Sequence, residues 1–398
     1  MRIFRILFIV QIVVVLSSCG NVKKLPTNSI IPGAEQVNEY LPLLKNKKVA
    51  IVANHTSLIR KTHLIDSLLA LNIDIKKVFC PEHGFRGNGD AGEYIKDYYD
   101  KKTGLKIISL YGKNKKPKRK DLADVDIVVF DIQDVGVRIY TYISTMHYVM
   151  EACAENNVEF LILDRPNPNG FYVDGPVLDT AFRSFIGLHP VPLVHGMTMA
   201  EYAEMINGET WLKNAIRCNM KYVLCKNYSH DSLYQLPIHP SPNLQNMKAV
   251  YLYPSLGFFE GTTINVGRGT AMPFQIFGSP QLKNANFKYT PKSIAGVSKY
   301  PKNRDTECNG ICLSDVNIDS LNSLKRINLS WLFFAYNNID KKDDFFKPFF
   351  FNICGSKNLM LQIQNGKSEK EIRKSWQIDI EKFKTIRKKY LLYPDFEE

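Results

Sequence analysis

Short apolar runs alternate with amphipathic stretches along the first 230 residues of the chain. The apolar runs have the length and composition of buried strands, and they lie at residues 48–54, 75–80, 105–110, 126–130 and 158–163. Apolar positions at helical spacing predict helices over residues 62–71, 140–156 and 198–212. Such alternation is typical of a parallel sheet covered on both faces. The predicted fold class is therefore α/β, with a Rossmann-like parallel sheet layered with helices.

The pattern changes near residue 230. Prolines become frequent there, aromatic stretches punctuated by glycine follow, and a charged helix is predicted over residues 368–390. We therefore predict a Rossmann-like domain over residues 41–230 and a second domain over residues 231–398.

The first 19 residues have the features of a bacterial lipoprotein signal peptide. Two arginines precede an apolar run over residues 6–16, which is too short to span a bilayer. The sequence Leu16-Ser17-Ser18-Cys19 resembles a lipobox, so Cys19 is expected to become the lipidated first residue, followed by a tether over residues 20–40. An uncleaved N-terminal anchor is the alternative. No acidic run follows Cys19, and we expect a lipid-anchored, periplasm-facing protein.

Export would place the other seven cysteines in an oxidising compartment. Because seven is odd, at least one of them stays unpaired. Cys80 and Cys153 lie in apolar patterns and are expected as buried thiols. Disulfides are suspected within the close pairs Cys218/Cys225 and Cys308/Cys312.

The formal net charge of +13 indicates either an anionic partner or well-solvated lysine-rich loops. For an exported lipoprotein the anionic partners are peptidoglycan and lipid head groups, so nucleic acid is not expected. The cysteines and histidines have no metal-ligand spacing, and no Gly-x-Gly-x-x-Gly follows the first strand. We therefore expect neither a metal nor another cofactor.

Four predicted strands end in polar clusters. The clusters are Asn54-His55-Thr56, Glu82-His83-Gly84, the segment from Asp131 to Arg138, and Asp164-Arg165 before two prolines. Because ligands of open α/β sheets bind beyond the carboxyl ends of the strands, these clusters predict a site for a charged, hydroxylated ligand.

Glu82 is the sharpest candidate within these clusters. Its apolar neighbours favour a carboxyl that can act as a general acid, although a static salt bridge with Arg86 is the alternative. One of Asp131 and Asp134 is expected to orient Arg138. For Asp164 and Arg165, a structural ion pair is as plausible as a role in binding.

These motifs resemble those of the exo-β-N-acetylmuramidases, a family formerly catalogued as a domain of unknown function. The resemblance spans roughly residues 45–395. It is carried by Pro81-Glu82-His83-Gly84 with Arg86-Gly87, Asp131-x-Gln133-Asp134-Val135-Gly136-x-Arg138-x-Tyr140-Thr141-Tyr142, Asp164-Arg165-Pro166-Asn167-Pro168, His195-Gly196-Met197-Thr198, Ser241-Pro242-Asn243, Glu260-Gly261-Thr262, Gly267-Arg268-Gly269-Thr270 and Lys388-Lys389-Tyr390-Leu391-Leu392-Tyr393-Pro394.

The resemblance implies a Rossmann-like catalytic domain, a smaller C-terminal α/β domain that completes a cleft, and release of terminal N-acetylmuramic acid from the non-reducing end of peptidoglycan fragments. The family's catalytic glutamate matches Glu82, and the second carboxylate would be Asp174 or Glu260. Asp174 stands where many relatives have glutamate. The expected substrate-binding residues are Asn54, His83, Arg86, Gln133, Asp134, Arg138, Tyr140, Asp164, Arg165, Asn243 and Arg268.

Several alternatives remain open at this stage. A retaining, an inverting or a substrate-assisted mechanism would each fit an N-acetyl sugar. A lipoprotein that binds muropeptides without cleaving them is the second functional hypothesis. Esterase or amidase chemistry is disfavoured, because the chain has no Gly-x-Ser-x-Gly elbow and no metal motif.

Overall fold

The computed structural model describes residues 29–82, 84–86 and 97–397. Its strands are β1 (Val49–Ala53), β2 (Leu58–Ile59), β3 (Thr62–His63), β4 (Ile75–Cys80), β5 (Tyr98–Tyr99), β6 (Lys106–Ser109), β7 (Ile127–Asp131), β8 (Glu159–Leu163), β9 (Met220–Val223), β10 (Ile276–Ser279), β11 (Phe287–Tyr289) and β12 (Cys308–Cys312). Its helices are α1 (Val37–Leu44), α2 (Leu64–Ala70), α3 (Arg119–Leu122), α4 (Tyr142–Asn156), α5 (Met199–Gly208), α6 (Met247–Leu256), α7 (Ile318–Ser323), α8 (Ser330–Asn337), α9 (Phe349–Cys354), α10 (Asn358–Gln364) and α11 (Glu369–Arg387).

Seven strands form the central sheet, in the order β5-β6-β4-β1-β7-β8-β9. All neighbours are parallel except the short edge strand β5, which pairs antiparallel with β6. Counting only the parallel strands, the order is 3-2-1-4-5-6, which is the Rossmann order. The predicted fold class is confirmed. The order in which successive strands are added to the sheet reverses between β1 and β7.

Both faces of the sheet are buried, as the apolar runs predict. Along β1, Val49 and Ile51 belong to one hydrophobic cluster, whereas Ala50 and Val52 belong to the larger cluster on the other face. Successive side chains of a strand point to opposite faces, so each face of β1 contributes to a separate core.

Helix α5 begins at the start of the predicted helix, with Thr198 as its N-cap, but it ends at Gly208 and not at residue 212. The Glu201 N–H donates to Thr198 Oγ1 (3.4 Å), and the Thr198 N–H donates back to Glu201 Oε2 (2.8 Å). Such reciprocal bonds satisfy amide groups that have no partner within the first turn. Helix α11 starts with the same arrangement at Ser368 and Glu371.

The C-terminal part contains a three-stranded antiparallel sheet, β10-β12-β11, with helices around it. The suspected disulfides are wrong, since all seven cysteines in the described part of the chain are unbridged. Cys308 and Cys312 lie on the single strand β12, about 13 Å apart at strand rise, which is too far for a bond. Strand β9 separates Cys218 from Cys225 in the same way.

The segment before α1 is part of the fold where it is described. Ile31 forms a β-bridge with Lys226, and the Gly33 N–H donates to the carbonyl oxygen of Asp164 (2.8 Å). Of the tether predicted over residues 20–40, residues 31–40 thus pack against the sheet domain. Cys19 lies outside the described residues, and within those residues no helix has the length and apolar composition needed to cross a bilayer.

The end of the chain returns to the sheet domain after α11. The Tyr393 hydroxyl donates to Asp164 Oδ2 (2.6 Å) and accepts from the Cys225 N–H (2.8 Å). The Leu392 N–H donates to Glu201 Oε1 (2.9 Å). The two buried bonds of Tyr393 join the C-terminal segment to the residues that follow β8 and β9, and the bond of Leu392 joins it to α5.

Tyr393→Phe is expected to lower the free energy of unfolding by about 1–3 kcal/mol, because it removes a partner from two buried polar groups. Tyr390→Phe is the matched control. The Tyr390 hydroxyl donates to Glu209, which also bonds Lys389, so its loss should cost less than about 1 kcal/mol. Urea denaturation measures the free energy of unfolding of both variants. Equal losses would contradict the role of the Tyr393 hydroxyl as a partner of two buried groups.

Candidate functional site

One cavity of about 590 Å³ opens between the carboxyl edge of the sheet and the C-terminal part. Its floor is built from buried residues, namely Tyr140, Thr141, Tyr142, Ser241, Asn243, Leu244, Tyr253, Phe274 and Ile353. Its rim includes Tyr300, which is 76% exposed, and Phe349, which is 46% exposed. The volume lies within the range of about 300–1,000 Å³ that is usual for small-molecule sites.

Glu82 enters this cavity from the loop that follows β4. The Thr141 hydroxyl, just before α4, donates to Glu82 Oε2 (3.3 Å). Burial, and then the charge of Glu82 and a hydrogen bond to it, raise the pKa of Tyr111, so this hydroxyl also stays protonated as a donor. Two hydroxyls from different elements therefore hold the Glu82 carboxyl at the pocket wall.

An ion pair between Glu260 and Arg268 also lines the cavity. Arg268 Nε lies 3.0 Å from Glu260 Oε1, and the two side chains are 23% and 27% exposed respectively. Burial alone would raise the pKa of Glu260, but the charges of Arg268 and Lys302 outweigh burial and lower it. Glu260 is therefore an ionised carboxylate at neutral pH.

The Arg268 loop needs glycine on both sides. Gly267 has φ of 77° and Gly269 has φ of 80°, in the left-handed region that favours glycine. A Cβ atom on Gly267 would lie 2.4 Å from the carbonyl oxygen of Met272. The resulting turn lays the guanidinium over the Phe274 ring, 5.1 Å from its centroid.

The two carboxylates act on the same neighbouring groups of the pocket. The raised pKa of Arg268 has contributions from Glu260 and from Glu82. Beyond the effect of burial, the charges of both glutamates also raise the pKa of Tyr253 on the floor. Glu82 and Glu260 thus act on the same small volume, although 178 residues separate them in the chain.

Five of the predicted site residues line the cavity: Glu82, Tyr140, Asn243, Glu260 and Arg268. Tyr140 donates to the carbonyl oxygen of Pro240 (2.8 Å) and packs edge-on against Tyr142 and Tyr253. Asn243 Nδ2 donates to the carbonyl oxygen of Val297 (2.9 Å), whereas its buried Oδ1 has no partner among the described residues. That oxygen is available to accept a hydrogen bond from a ligand.

Asp174 does not supply a second carboxylate at the cavity, which corrects that expectation. Its Oδ2 accepts from Arg373 Nη1 (2.9 Å) and from the Ile327 N–H (2.8 Å), and it does not line the cavity. The ion pair fixes α11 against the sheet domain. Glu260 is the carboxylate that lies in the cavity with Glu82.

Two predicted arginines also have structural partners. Arg138 is fully buried and donates to the carbonyl oxygens of Pro176, Val191 and Ile353 at 2.7–2.9 Å, and burial lowers its pKa to about 10. It joins the sheet domain to α9. The expectation that an aspartate orients Arg138 is therefore wrong, since carbonyl oxygens hold it.

Arg86 forms a two-point contact with Asp100, with Nη2···Oδ2 at 2.9 Å and Nε···Oδ1 at 3.3 Å. It does not line the cavity. His83, which follows Glu82, lies outside the described residues.

The other predicted binding residues form the layer beneath the pocket. Arg165 contacts both carboxylate oxygens of Asp131, and Asp164 bonds Tyr393, so neither Arg165 nor Asp164 faces the cavity. Asn54 Nδ2 donates to the Tyr142 hydroxyl (3.0 Å) and supports the floor. Gln133 Nε2 donates to two carbonyl oxygens, those of Asp134 and Pro166, at 2.8 Å each.

The cavity also contains residues that were not predicted. Thr141 and Tyr142 directly follow the predicted Tyr140 and belong to the same motif, which was the available signal. Tyr253, Lys299, Tyr300 and Phe349 come from segments with no motif, so only the fold reveals them.

This pocket has the arrangement of a glycoside hydrolase. Two carboxylates, one of them paired with arginine, face a floor of tyrosine and amide groups beyond the carboxyl edge of a Rossmann-like sheet. Two family models match the chain: "Exo-beta-N-acetylmuramidase NamZ, N-terminal" over residues 49–248 and "Exo-beta-N-acetylmuramidase NamZ, C-terminal" over residues 251–393. The chain belongs to this family, which confirms the resemblance seen in its motifs.

Individual relatives agree with the family models. The chain is 36% identical over 373 residues to a protein named peptidoglycan beta-N-acetylmuramidase NamZ from Bacillus subtilis, covering 89% of each. Two crystal structures of DUF1343 family proteins from Bacteroides fragilis are similar, at 47% identity with a TM-score of 0.86 and at 29% identity with a TM-score of 0.76. Each comparison covers 92% of this chain and 99% of the other.

The buried carboxyl of Asp134 should make the free energy of unfolding depend on pH. Its Oδ1 accepts from the Gly136 N–H (2.7 Å), its Oδ2 has no partner among the described residues, and burial raises its pKa to about 7. In the unfolded chain an aspartate titrates near pH 4. The folded state therefore binds the extra proton, and this contribution to stability is complete below about pH 4 and lost as the pH rises to about 7.

Asp134→Asn should remove this dependence, so the variant should gain stability relative to the natural chain between pH 4 and pH 7, by up to about 4 kcal/mol. Urea denaturation at intervals of pH measures the difference. Asp305→Asn, in an exposed ion pair, controls for the loss of one charge. A difference between Asp134→Asn and the natural chain that does not change with pH would contradict the raised pKa.

Proposed function

We propose that this protein is an exo-β-N-acetylmuramidase, which hydrolyses terminal N-acetylmuramic acid from the non-reducing end of peptidoglycan fragments during cell-wall turnover. The observation that carries the proposal is that Glu82 and the Arg268-paired Glu260 line one pocket. Membership of the NamZ family and the name of the Bacillus subtilis relative support the same activity.

Glu82 is the general acid in this proposal. It protonates the glycosidic oxygen as the bond between that oxygen and the anomeric carbon breaks. The hydroxyls of Thr141 and Tyr111 hold its carboxyl against the pocket wall. A carboxyl fixed by two donors is presented to the substrate in one orientation, which favours proton transfer.

Glu260 is the second carboxylate. Its negative charge, maintained by Arg268 and Lys302, stabilises the positive charge that develops at the anomeric carbon. Glu260 then takes the proton that the attacking water loses as the new bond between its oxygen and the anomeric carbon forms. Arg268 uses Nε for this pairing, so its terminal nitrogens are the donors for the lactyl carboxylate of the sugar.

Asn243 and the floor explain selection of a terminal sugar. Asn243 Oδ1 is a buried acceptor that a substrate N–H or hydroxyl would satisfy. The floor is buried and the rim is exposed, so the terminal sugar occupies the floor while the rest of the fragment leaves through the mouth.

Glu82→Gln is expected to reduce kcat on a muramic disaccharide by about 10²–10⁴-fold, because the leaving alcohol then departs without a proton. An aryl muramide has a better leaving group and should lose much less. Glu307→Gln makes the same charge change in an exposed ion pair and should leave both rates unchanged.

Equal losses on the disaccharide and the aryl muramide would contradict the role of general acid. Clear binding of muropeptides by the natural chain without any hydrolysis would favour the non-catalytic alternative.

We further propose that the protein is a lipoprotein, anchored to the membrane through Cys19 and facing the periplasm. The arginines at positions 2 and 5, the short apolar run and the lipobox-like Leu16-Ser17-Ser18-Cys19 support this proposal. A lipid anchor would hold the pocket near the peptidoglycan from which fragments are released.

Cys19→Ala should prevent labelling by a radioactive fatty acid and move the protein from the membrane fraction to the soluble fraction. Cys312→Ala, at a partly exposed unbridged cysteine, is the matched control and should remain membrane-bound. Protease added to intact cells should leave the natural protein intact. Membrane retention of Cys19→Ala would contradict the anchor, and rapid proteolysis would contradict the periplasmic orientation.

A further inference from the structure

Lys302 lies behind the catalytic wall, on the chain between β11 and β12. Its ammonium is surrounded by backbone carbonyl oxygens of one turn, at 2.5 Å from Thr262, 3.0 Å from Phe259, 3.0 Å from Ile264 and 3.5 Å from Glu260. An ammonium has three N–H donors, and the three shorter contacts account for all of them. The turn from residue 259 to residue 264 therefore curves around a single cation.

The backbone beside Lys302 is attached to the same turn. Asn265 Nδ2 donates to the carbonyl oxygens of Lys302 (2.7 Å) and Arg268 (3.2 Å), and Asn303 Nδ2 donates to that of Thr263 (3.3 Å). The positions of Glu260 and Arg268 thus depend on the segment that carries Lys302, which lies more than 30 residues further along the chain.

No carboxylate forms an ion pair with Lys302 among the described residues. Burial lowers the pKa of Lys302 to about 8, the charge of Glu260 opposes that shift, and Arg268 and Lys347 add to it. The charged groups that act on Glu260 are Arg268 and Lys302. The charge of Lys302 is therefore directed at Glu260 rather than neutralised elsewhere.

We propose that Lys302 is a positioning residue for glycoside hydrolysis, whose ammonium shapes the turn that presents Glu260 and places a second positive charge behind its carboxylate. This inference rests on the role proposed for Glu260. Two consequences follow: without Lys302 the carboxylate is less well placed, and it is protonated at higher pH.

The test measures kcat against pH with an aryl muramide. Lys302→Met should lower kcat by about 10- to 100-fold and move the acidic limb of the profile upward by at least about half a pH unit. The sign follows because a positive charge lowers the pKa of a carboxyl, so its removal raises that pKa and activity is lost earlier on acidification. Lys302→Arg keeps the charge and should leave the acidic limb in place.

Lys292→Met is the matched control, since it removes an exposed lysine that pairs with Asp305 on the neighbouring segment. It should change neither kcat nor the profile. Lys302→Gln retains an amide donor but no charge, and it provides the same test of the acidic limb if the methionine variant does not fold.

Glu260→Gln separates the two proposals. If it leaves kcat unchanged, the role proposed for Glu260 fails. If it abolishes activity while neutral variants of Lys302 keep the natural acidic limb and a kcat within twofold, only the proposal for Lys302 is overturned.

Discussion

The buried ion pair between Asp131 and Arg165 is the contact on which the carboxyl edge of the sheet depends. Arg165 Nε lies 2.6 Å from Asp131 Oδ1 and Nη2 lies 3.0 Å from Oδ2, and both side chains are buried. A second bond from Nη2 reaches the carbonyl oxygen of Leu58. The pair therefore joins the end of β7, the start of β2 and the loop after β8, beside the point where the strand order reverses. Loss of either charge would leave the other buried without its partner, which typically costs about 3–5 kcal/mol.

Buried polar groups need partners, and this requirement divides the charged residues of the molecule into two groups. Arg138, Asp164, Arg165 and Asp174 are used inside the protein, where they fasten loops and the C-terminal segment to the sheet domain. Glu82, Glu260 and Arg268 remain at the cavity, where a ligand can reach them. The buried charged residues thus hold the loops and segments that position the charged residues of the cavity.

The fold was predictable where the burial of a strand requires a run of apolar residues in the sequence. Strands β1, β7 and β8 are apolar along almost their whole length, and β4 is apolar apart from Lys76 and Lys77, because both faces of the sheet are covered. Strand β9 has no such run, since Met220, Lys221 and Tyr222 are partly or fully exposed at the sheet edge. The strands of the second sheet have three to five residues, and two of them, β10 and β12, contain glycine, so the apolar and polar pattern is too short to mark them.

The site was predictable only in part. A charged residue at a strand end can have the same local sequence whether it binds the ligand or forms a structural contact inside the protein. Asp174 is distinguished from a catalytic acid by Arg373, which lies 199 residues away. Arg138 is distinguished from a ligand-binding arginine by its hydrogen bonds to backbone carbonyl oxygens, one of which belongs to Ile353, 215 residues further along the chain. Glu82 and Glu260 were recognisable from their motifs, but their shared pocket follows only from how the two parts of the chain pack together.

We propose that this pocket cleaves a terminal N-acetylmuramic acid from a glycan. Proton NMR of a defined peptidoglycan tetrasaccharide, with N-acetylmuramic acid at its non-reducing end, follows the cleavage directly. Free N-acetylmuramic acid is expected as the first product, and the trisaccharide should accumulate with it in equal amount. Cleavage within the tetrasaccharide, or a bound tetrasaccharide that stays intact, would contradict this activity.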